Sequence, residues 1–257
     1  MKELSSLQYC LIGMTAFLIF FVCLFPAKVA YNAAQRVGLV LPPMIKISEI
    51  DGSVWNGTVK VDVAGLKSNV LNWDLLFSRL LMGGFGVKIK AESTDYSIDG
   101  SLSIFLPLPE KSFFPLNAEL EIDGYVSGKI IAAVAPQFNA FVEGKVDLDN
   151  ILIALTSTGV DGAEGHISWP GGEAKANVMG QAMAVQLPAL EGELQKNGEK
   201  AKFELVKSED KKPLAEASVD AEGWGAVRVR QRLLDYFVPS QGKDENSFAI
   251  EYEQKLF

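Results

Sequence analysis

The stretch "DGSVWNG", Asp51–Gly57, frames Trp55 with Gly52 and Gly57 and offers a hydroxyl at Ser53 and a carboxylate at Asp51. A nucleophilic serine would need a base and a GxSxG elbow, and the stretch has neither. A phosphate cradle would need GK[ST], which is also missing. His166, in "EGHISWPGG", is the only histidine of the chain, so a histidine-based triad or zinc site lacks its partners. Both cysteines, Cys10 and Cys23, precede the body, which therefore has no internal disulfide and no thiolate metal site. The residues predict no catalytic group, no metal and no cofactor. Arg228, Arg230 and Arg232, in "VRVRQR", share one side if that segment is extended. They form a solvated face by default and are the candidate contacts for an acidic partner.

An acidic residue followed by glycine recurs along the chain. It reads "IDGSV" at Ile50, "IDGSL" at Ile98, "IDGYV" at Ile122, "VEGKV" at Val142, "AEGHI" at Ala163, "LEGEL" at Leu190 and "AEGWG" at Ala221. A catalytic loop has no reason to recur, whereas a structural unit does. The expectation is a strand start, with the carboxylate accepting a turn N–H and the glycine allowing a tight backbone. On that reading Asp51–Gly57 opens a strand, buries Val54 and Trp55, and bends at Asn56-Gly57.

The elements around these units read as strands. "VKVDVAG", "VKIKAE", "AELEID" and "AKFELV" alternate apolar and polar residues, as in antiparallel strands with one solvated face. Three short helices are expected in the body, in "NWDLLFSRLLMGG", "GKIIAAVAP" and "VRVRQRLLDYFV". They are too few to cover so long a sheet. The predicted fold class is mainly β, with one N-terminal transmembrane helix and a long antiparallel meander. That sheet curls or folds over on itself as a trough, incomplete barrel or sandwich.

The charge-free run Tyr9–Phe25 reaches the lower limit of a bilayer span, about 17 residues. No small-x-small site follows it, so an uncleaved signal anchor is expected rather than a removed leader. A short N-terminal tail and a large cysteine-free remainder fit an N-inside anchor of a bacterial envelope protein. The expected organisation is 1–8 as cytoplasmic tail and 9–27 as anchor. Residues 28–43 are then a juxtamembrane helix and linker that prolongs the membrane helix, 44–240 a periplasmic β domain, and 241–257 a polar tail that pairs as a last strand or stays loose. The net charge of −8 argues against nucleic acid.

Taken together, the single span with "FPAKVA", then "GSVWNG", "LNWDLLFSRLLMGG", "GHISWPGGEA", "LPALEGELQKNGEKAKFEL" and "DAEGWGAVRVRQRLLD" resemble the protein N family of the bacterial type II secretion system. Gly52, Trp55, Gly57, Trp73, Trp169, Gly223 and Trp224 are the motif positions of that resemblance. Where the family has Thr, this chain has Ser53. The resemblance implies a non-enzymatic inner-membrane accessory subunit with a periplasmic domain. Its partners would be the inner-membrane platform or the outer-membrane secretin. A looser similarity, in sheet pattern and topology, links the chain to AsmA-like envelope proteins, whose curled sheets form apolar grooves. The alternative function is therefore a lipid-binding or lipid-transfer groove, with lipid as the partner.

Overall fold

The computed structural model describes residues 13–18, 20, 21, 24–36, 45–63, 66–81, 83–105, 117–134, 141–156, 159–178, 181–198, 200–220, 222, 224–238 and 244–255. The chain divides into two compact units, with the boundary between Leu75 and Leu76.

In the first unit, residues 13–18, 20 and 21 are helical. Among the described residues no helix is long and apolar enough to cross a membrane. Residues 9–12, 19, 22 and 23 of the expected span, and the tail 1–8, lie outside the described residues. The membrane helix was expected to run on into the aqueous side, but the chain breaks it at Leu24–Pro26. Leu24 is a turn, and Pro26 forms an antiparallel bridge with Ser53. Proline has no N–H to continue a helical ladder. The Pro26 carbonyl instead accepts the N–H groups of Val29 and Ala30, at 3.1 and 3.2 Å, and starts a separate helix, Ala27–Arg36. Strands β1 (Ile45–Gly52), β2 (Asn56–Val63) and β3 (Leu66–Leu75) then form an antiparallel meander. Val61 and Leu75 are buried in this unit.

The second unit is built from β4 (Gly84–Glu92), β5 (Tyr96–Phe105), β6 (Asn117–Ser127), β7 (Phe141–Val142), β8 (Lys145–Thr156) and β9 (Gly159–Trp169). It continues with β10 (Gly172–Val178), β11 (Gln181–Leu187), β12 (Leu190–Asn197), β13 (Lys200–Lys207), β14 (Pro213–Asp220), β15 (Trp224–Arg230) and β16 (Phe248–Lys255). Ten of these strands form one antiparallel sheet in the order β4-β5-β6-β8-β9-β12-β13-β14-β15-β16. The other three form a small sheet, β11-β10-β7. Among the described residues β16 pairs only with β15, so the large sheet is not closed into a barrel.

Register explains why so long a sheet is coherent. One row runs Val87, Leu102, Leu120, Ile153 and Ala163 across β4, β5, β6, β8 and β9. A second runs Leu194, Phe203, Ala217, Val227 and Tyr252 across β12 to β16. Because side chains alternate with period two, both rows lie on the apolar face. The opposite face carries Lys88, Ser101 and Glu121 in one row and Glu204, Glu216, Arg228 and Glu251 in another.

The best-buried core lies where the small sheet overlies the large one. Trp169, Ala174, Leu190 and Leu214 cluster there, with Val142, Val185 and Leu187 of the small sheet packed against them. Leu214 is fully buried and Trp169 is 5% exposed. The Trp169 indole N–H donates to the Glu143 carbonyl at 2.7 Å, and the Glu143 N–H donates to the Glu173 carbonyl at 2.8 Å. Trp169 thus ties the two sheets together with both apolar contact and a hydrogen bond.

Two of the expected body helices are shorter than expected. "NWDL" continues β3 as far as Leu75, and only Phe77–Leu81 is helical. "VRVR" belongs to β15, with a single turn, Gln231–Leu234, after it. In both, strand alternation prevails over local helix propensity. Gly128–Val134 is helical, as expected of "GKIIAAVAP". The acid–glycine units meet the expectation in part. "LEGEL" opens β12 at Leu190, and Gly144 immediately precedes β8, whereas Gly100, Gly124 and Gly165 stand inside strands. At Gly192 the glycine is needed for space: a Cβ there would come within 2.3 Å of the Phe203 ring lying over it. Asp123 does accept an N–H, from Asn150 across the sheet at 2.6 Å.

Candidate functional site

Asp51–Gly57 is a hairpin connection, not a strand start. β1 ends at Gly52, β2 begins at Asn56, and Gly52 pairs with Gly57 across the mouth. Gly52 has φ of 99°, which favours glycine. Ser53 closes the loop: its N–H donates to the Asn56 carbonyl at 2.8 Å, and its Oγ accepts the N–H groups of Trp55 and Asn56 at 3.2 Å. The hydroxyl is occupied in shaping the turn. Gly57 is glycine for space, since a Cβ would lie 2.3 Å from the Asp51 carbonyl oxygen and 2.4 Å from the Trp73 ring. Trp73 covers this glycine as its cross-strand partner and donates its indole N–H to the Val54 carbonyl at 3.2 Å. Trp55 itself is half-buried, and its carbonyl accepts the Leu75 N–H at 2.7 Å.

The three arginines do not share one strand face. Arg228 and Arg230 lie in β15, and Arg232 lies in the following helical turn. Each holds the C-terminal segment. Arg228 pairs with Glu216 at 3.4 Å and Glu251 at 3.6 Å. Arg230 donates to the Asn246 carbonyl at 2.7 Å and stands over the Phe248 ring at 4.6 Å. Arg232 donates to Asn246 Oδ1 at 3.0 Å and pairs with Glu245 at 3.4 Å.

These contacts belong to a charge ladder on the polar face. Lys202 lies 3.2 Å from Glu204 and 3.1 Å from Glu216, so it bridges two carboxylates that stand directly opposite each other. Burial pushes the Glu216 carboxyl up, but the bonds and charges of Lys202 and Arg228 outweigh it and hold it below the usual range. The hydrogen bond to Glu216 raises the Lys202 ammonium in turn. At the start of β15 the Asp220 carboxylate accepts the N–H groups of Trp224 at 2.9 Å and Glu222 at 3.1 Å. These bonds, with Lys200 at 3.4 Å, lower its pKa. Trp224 is exposed, and Gly223 lies outside the described residues. His166 sits on the polar face, opposite Asp149 and Glu193. Among the described residues no group of three His, Cys, Asp or Glu side chains is placed to hold a metal.

The apolar face holds a hollow of the kind expected of a lipid groove, lined by residues that the sequence alone does not single out. This hollow, of about 300 Å³, lies over β8, β9 and β12–β14, walled chiefly by Ile153, Leu155, Val160, Leu194, Phe203 and Val219. The alternation that marked these strands was its signal, but only the register shows which residues meet.

The profile of one family, type II secretion system protein N, matches residues 43–246. The chain belongs to this family. The match takes in the hairpin, the whole apolar hollow and the three arginines, and stops before β16. Protein N is a secretion-system subunit family rather than a known enzyme family, and membership ties the chain to the other components of that system and to the cell envelope. Comparison with curated proteins gives no match, and neither does comparison with solved structures.

Proposed function

We propose that this protein N chain is a non-enzymatic accessory or assembly subunit of type II secretion. Residues 9–27 anchor it in the inner membrane, 28–43 lead out of the bilayer, and the β body, 44–240, stands in the periplasm with 241–257 as its tail. The observation that carries this reading is the match over residues 43–246, joined to a polar face on which Lys202 and Arg228 both pair with Glu216 across strands. The surface offers the inner-membrane platform or the secretin a mixed-charge face, which suits protein partners better than nucleic acid. Trp55, Trp73 and Trp169 act on this view as structural members, and the arginines as staples for the tail. The test is cross-linking and co-purification of the full chain from envelopes of secreting cells. Platform or secretin subunits should be enriched over a control membrane protein; equal recovery of both would refute the assignment.

A second reading has its own observation, the apolar hollow on a sheet face that still exposes Leu155, Val227 and Tyr252 by 41, 45 and 59%. Exposed apolar surface of that extent marks a binding site. On this reading the hollow takes an acyl chain of an envelope lipid. Mass spectrometry of the purified protein should find retained lipid at a fixed ratio. Protein that purifies without lipid from lipid-rich membranes would remove this reading and leave the first intact.

A further inference from the structure

We propose that the β1–β2 hairpin loop rests in the lipid headgroup layer, with the sheet of the first unit clamped directly to the end of the membrane anchor. This rests on the anchoring described under the proposed function. The apolar helical residues Phe17, Leu18, Phe20 and Phe21 are each more than half exposed, as is Leu24 after them. The chain then passes through Phe25 and Pro26, and both are tied to the loop. The Val54 N–H donates to the Phe25 carbonyl at 2.9 Å, and Pro26 bridges with Ser53. The loop is in turn fixed to its own sheet by the Trp73 indole on the Val54 carbonyl and by the Leu75 N–H on the Trp55 carbonyl. Gly57 admits no side chain, so the loop has little freedom to swing away.

Depth is set by length. A helical anchor from residue 9 to the break at Leu24 would span roughly 24 Å at 1.5 Å per residue, which the roughly 30 Å hydrocarbon core meets by thinning locally. Phe25 and Pro26 are then at its outer boundary. The headgroup region beyond is only about 5–8 Å thick on each side. A loop hydrogen-bonded to Phe25 lies within that layer. Tryptophan, an amphipathic ring, is favoured at this depth. The exposed Lys28, in the first turn of the next helix, adds a cation for phosphate. The structure thus gives the hairpin a role that its glycine frame alone does not suggest: it sets the height and tilt at which the sheet of the first unit leaves the bilayer.

The test uses the full chain in phosphatidylethanolamine/phosphatidylglycerol vesicles that contain a lipid with a nitroxide on its headgroup. Flotation with the vesicles is measured first. Tryptophan emission should be quenched in the parent protein, and the quenched component should shrink in Trp55→Phe to the part contributed by Trp73, which lies against the same loop. A second readout avoids any folding defect of Trp55→Phe. A spin label at Asp51→Cys, in a Cys10→Ser/Cys23→Ser background, should relax several-fold more with headgroup-level reagent than the same label at Lys46→Cys, at the far end of β1. Vesicle-bound protein with equal quenching in the parent and Trp55→Phe and equal relaxation at both labels would overturn the clamp while leaving the anchor standing. Protein that fails to float would overturn the anchor and the clamp together.

Discussion

Trp169→Ala should be the most damaging tryptophan substitution in the chain. The ring is 5% exposed and packs with Leu190, Leu214 and Ala174 between the two sheets. Truncating a buried tryptophan costs about 3–5 kcal/mol from lost transfer and the cavity left behind. The Glu143 carbonyl also loses its donor, but Glu143 is exposed and water can replace it, so this adds little. A loss of about 4 kcal/mol in a domain of this size corresponds to a fall in Tm of roughly 8–16 °C. Trp169→Phe keeps most of the packing and should lose about 1–2 kcal/mol. Trp224→Ala, at a 42% exposed site, should stay within about 1 kcal/mol. The assay is urea and thermal unfolding of the full chain in detergent, monitored by near-ultraviolet circular dichroism. If Trp169→Ala melts within about 2 °C of the parent, or no lower than Trp224→Ala, the small sheet is not riveted to the large one as described.

Gly57→Ala should cost about 2–3 kcal/mol, because the added Cβ meets the Asp51 backbone carbonyl, which cannot retreat as a side chain could; urea unfolding checks it, and an unchanged midpoint would contradict the loop geometry. The turn held by Asp220 should weaken in acid. Its folded pKa is depressed, so its contribution is complete above the unfolded carboxylate range, near pH 4, and is lost as pH falls through the lower folded value. The protection of the Trp224 N–H, the slowing of its exchange relative to an unstructured amide at the same pH, should therefore fall below about pH 4, and Asp220→Ala should lack that protection at neutral pH already. Ala217→Trp, placed opposite Phe203, should fill the apolar hollow and cut any retained lipid several-fold, measured by mass spectrometry. Unchanged lipid would locate it elsewhere.

Much of the sheet was legible in the sequence because burial on one face imposes a period of two. "AELEID" and "AKFELV" lie in β6 and β13, with Ala118, Leu120 and Ile122 and then Ala201, Phe203 and Leu205 on the same face, while Val206 turns to the other. What failed was local. "NWDL" can start a helix or end a strand, and only its pairing with β2 decides. The acid–glycine units look like turns in isolation; Gly192 is needed instead because Phe203 arrives from the next strand. Trp55 and Trp169 are equal in sequence terms, yet one is half-buried in a hairpin loop and the other joins two sheets. The excursion of β7, β10 and β11 into a separate small sheet carries no periodic mark. The arginines were visible, but their true partners, Asn246 and Phe248, lie beyond the next helical turn and could not be paired with them by spacing.

The central claim is that the chain serves type II secretion as a structural subunit. The most direct measurement is export of a folded substrate in a deletion strain, complemented with the parent chain or with Gly57→Ala. The account predicts that deletion lowers export and the parent restores it. It also predicts that Gly57→Ala restores export only to the extent that the protein accumulates in the envelope. Full export in the deletion strain, with the secretin and platform assembled as in the parent under conditions that require the system, would contradict it.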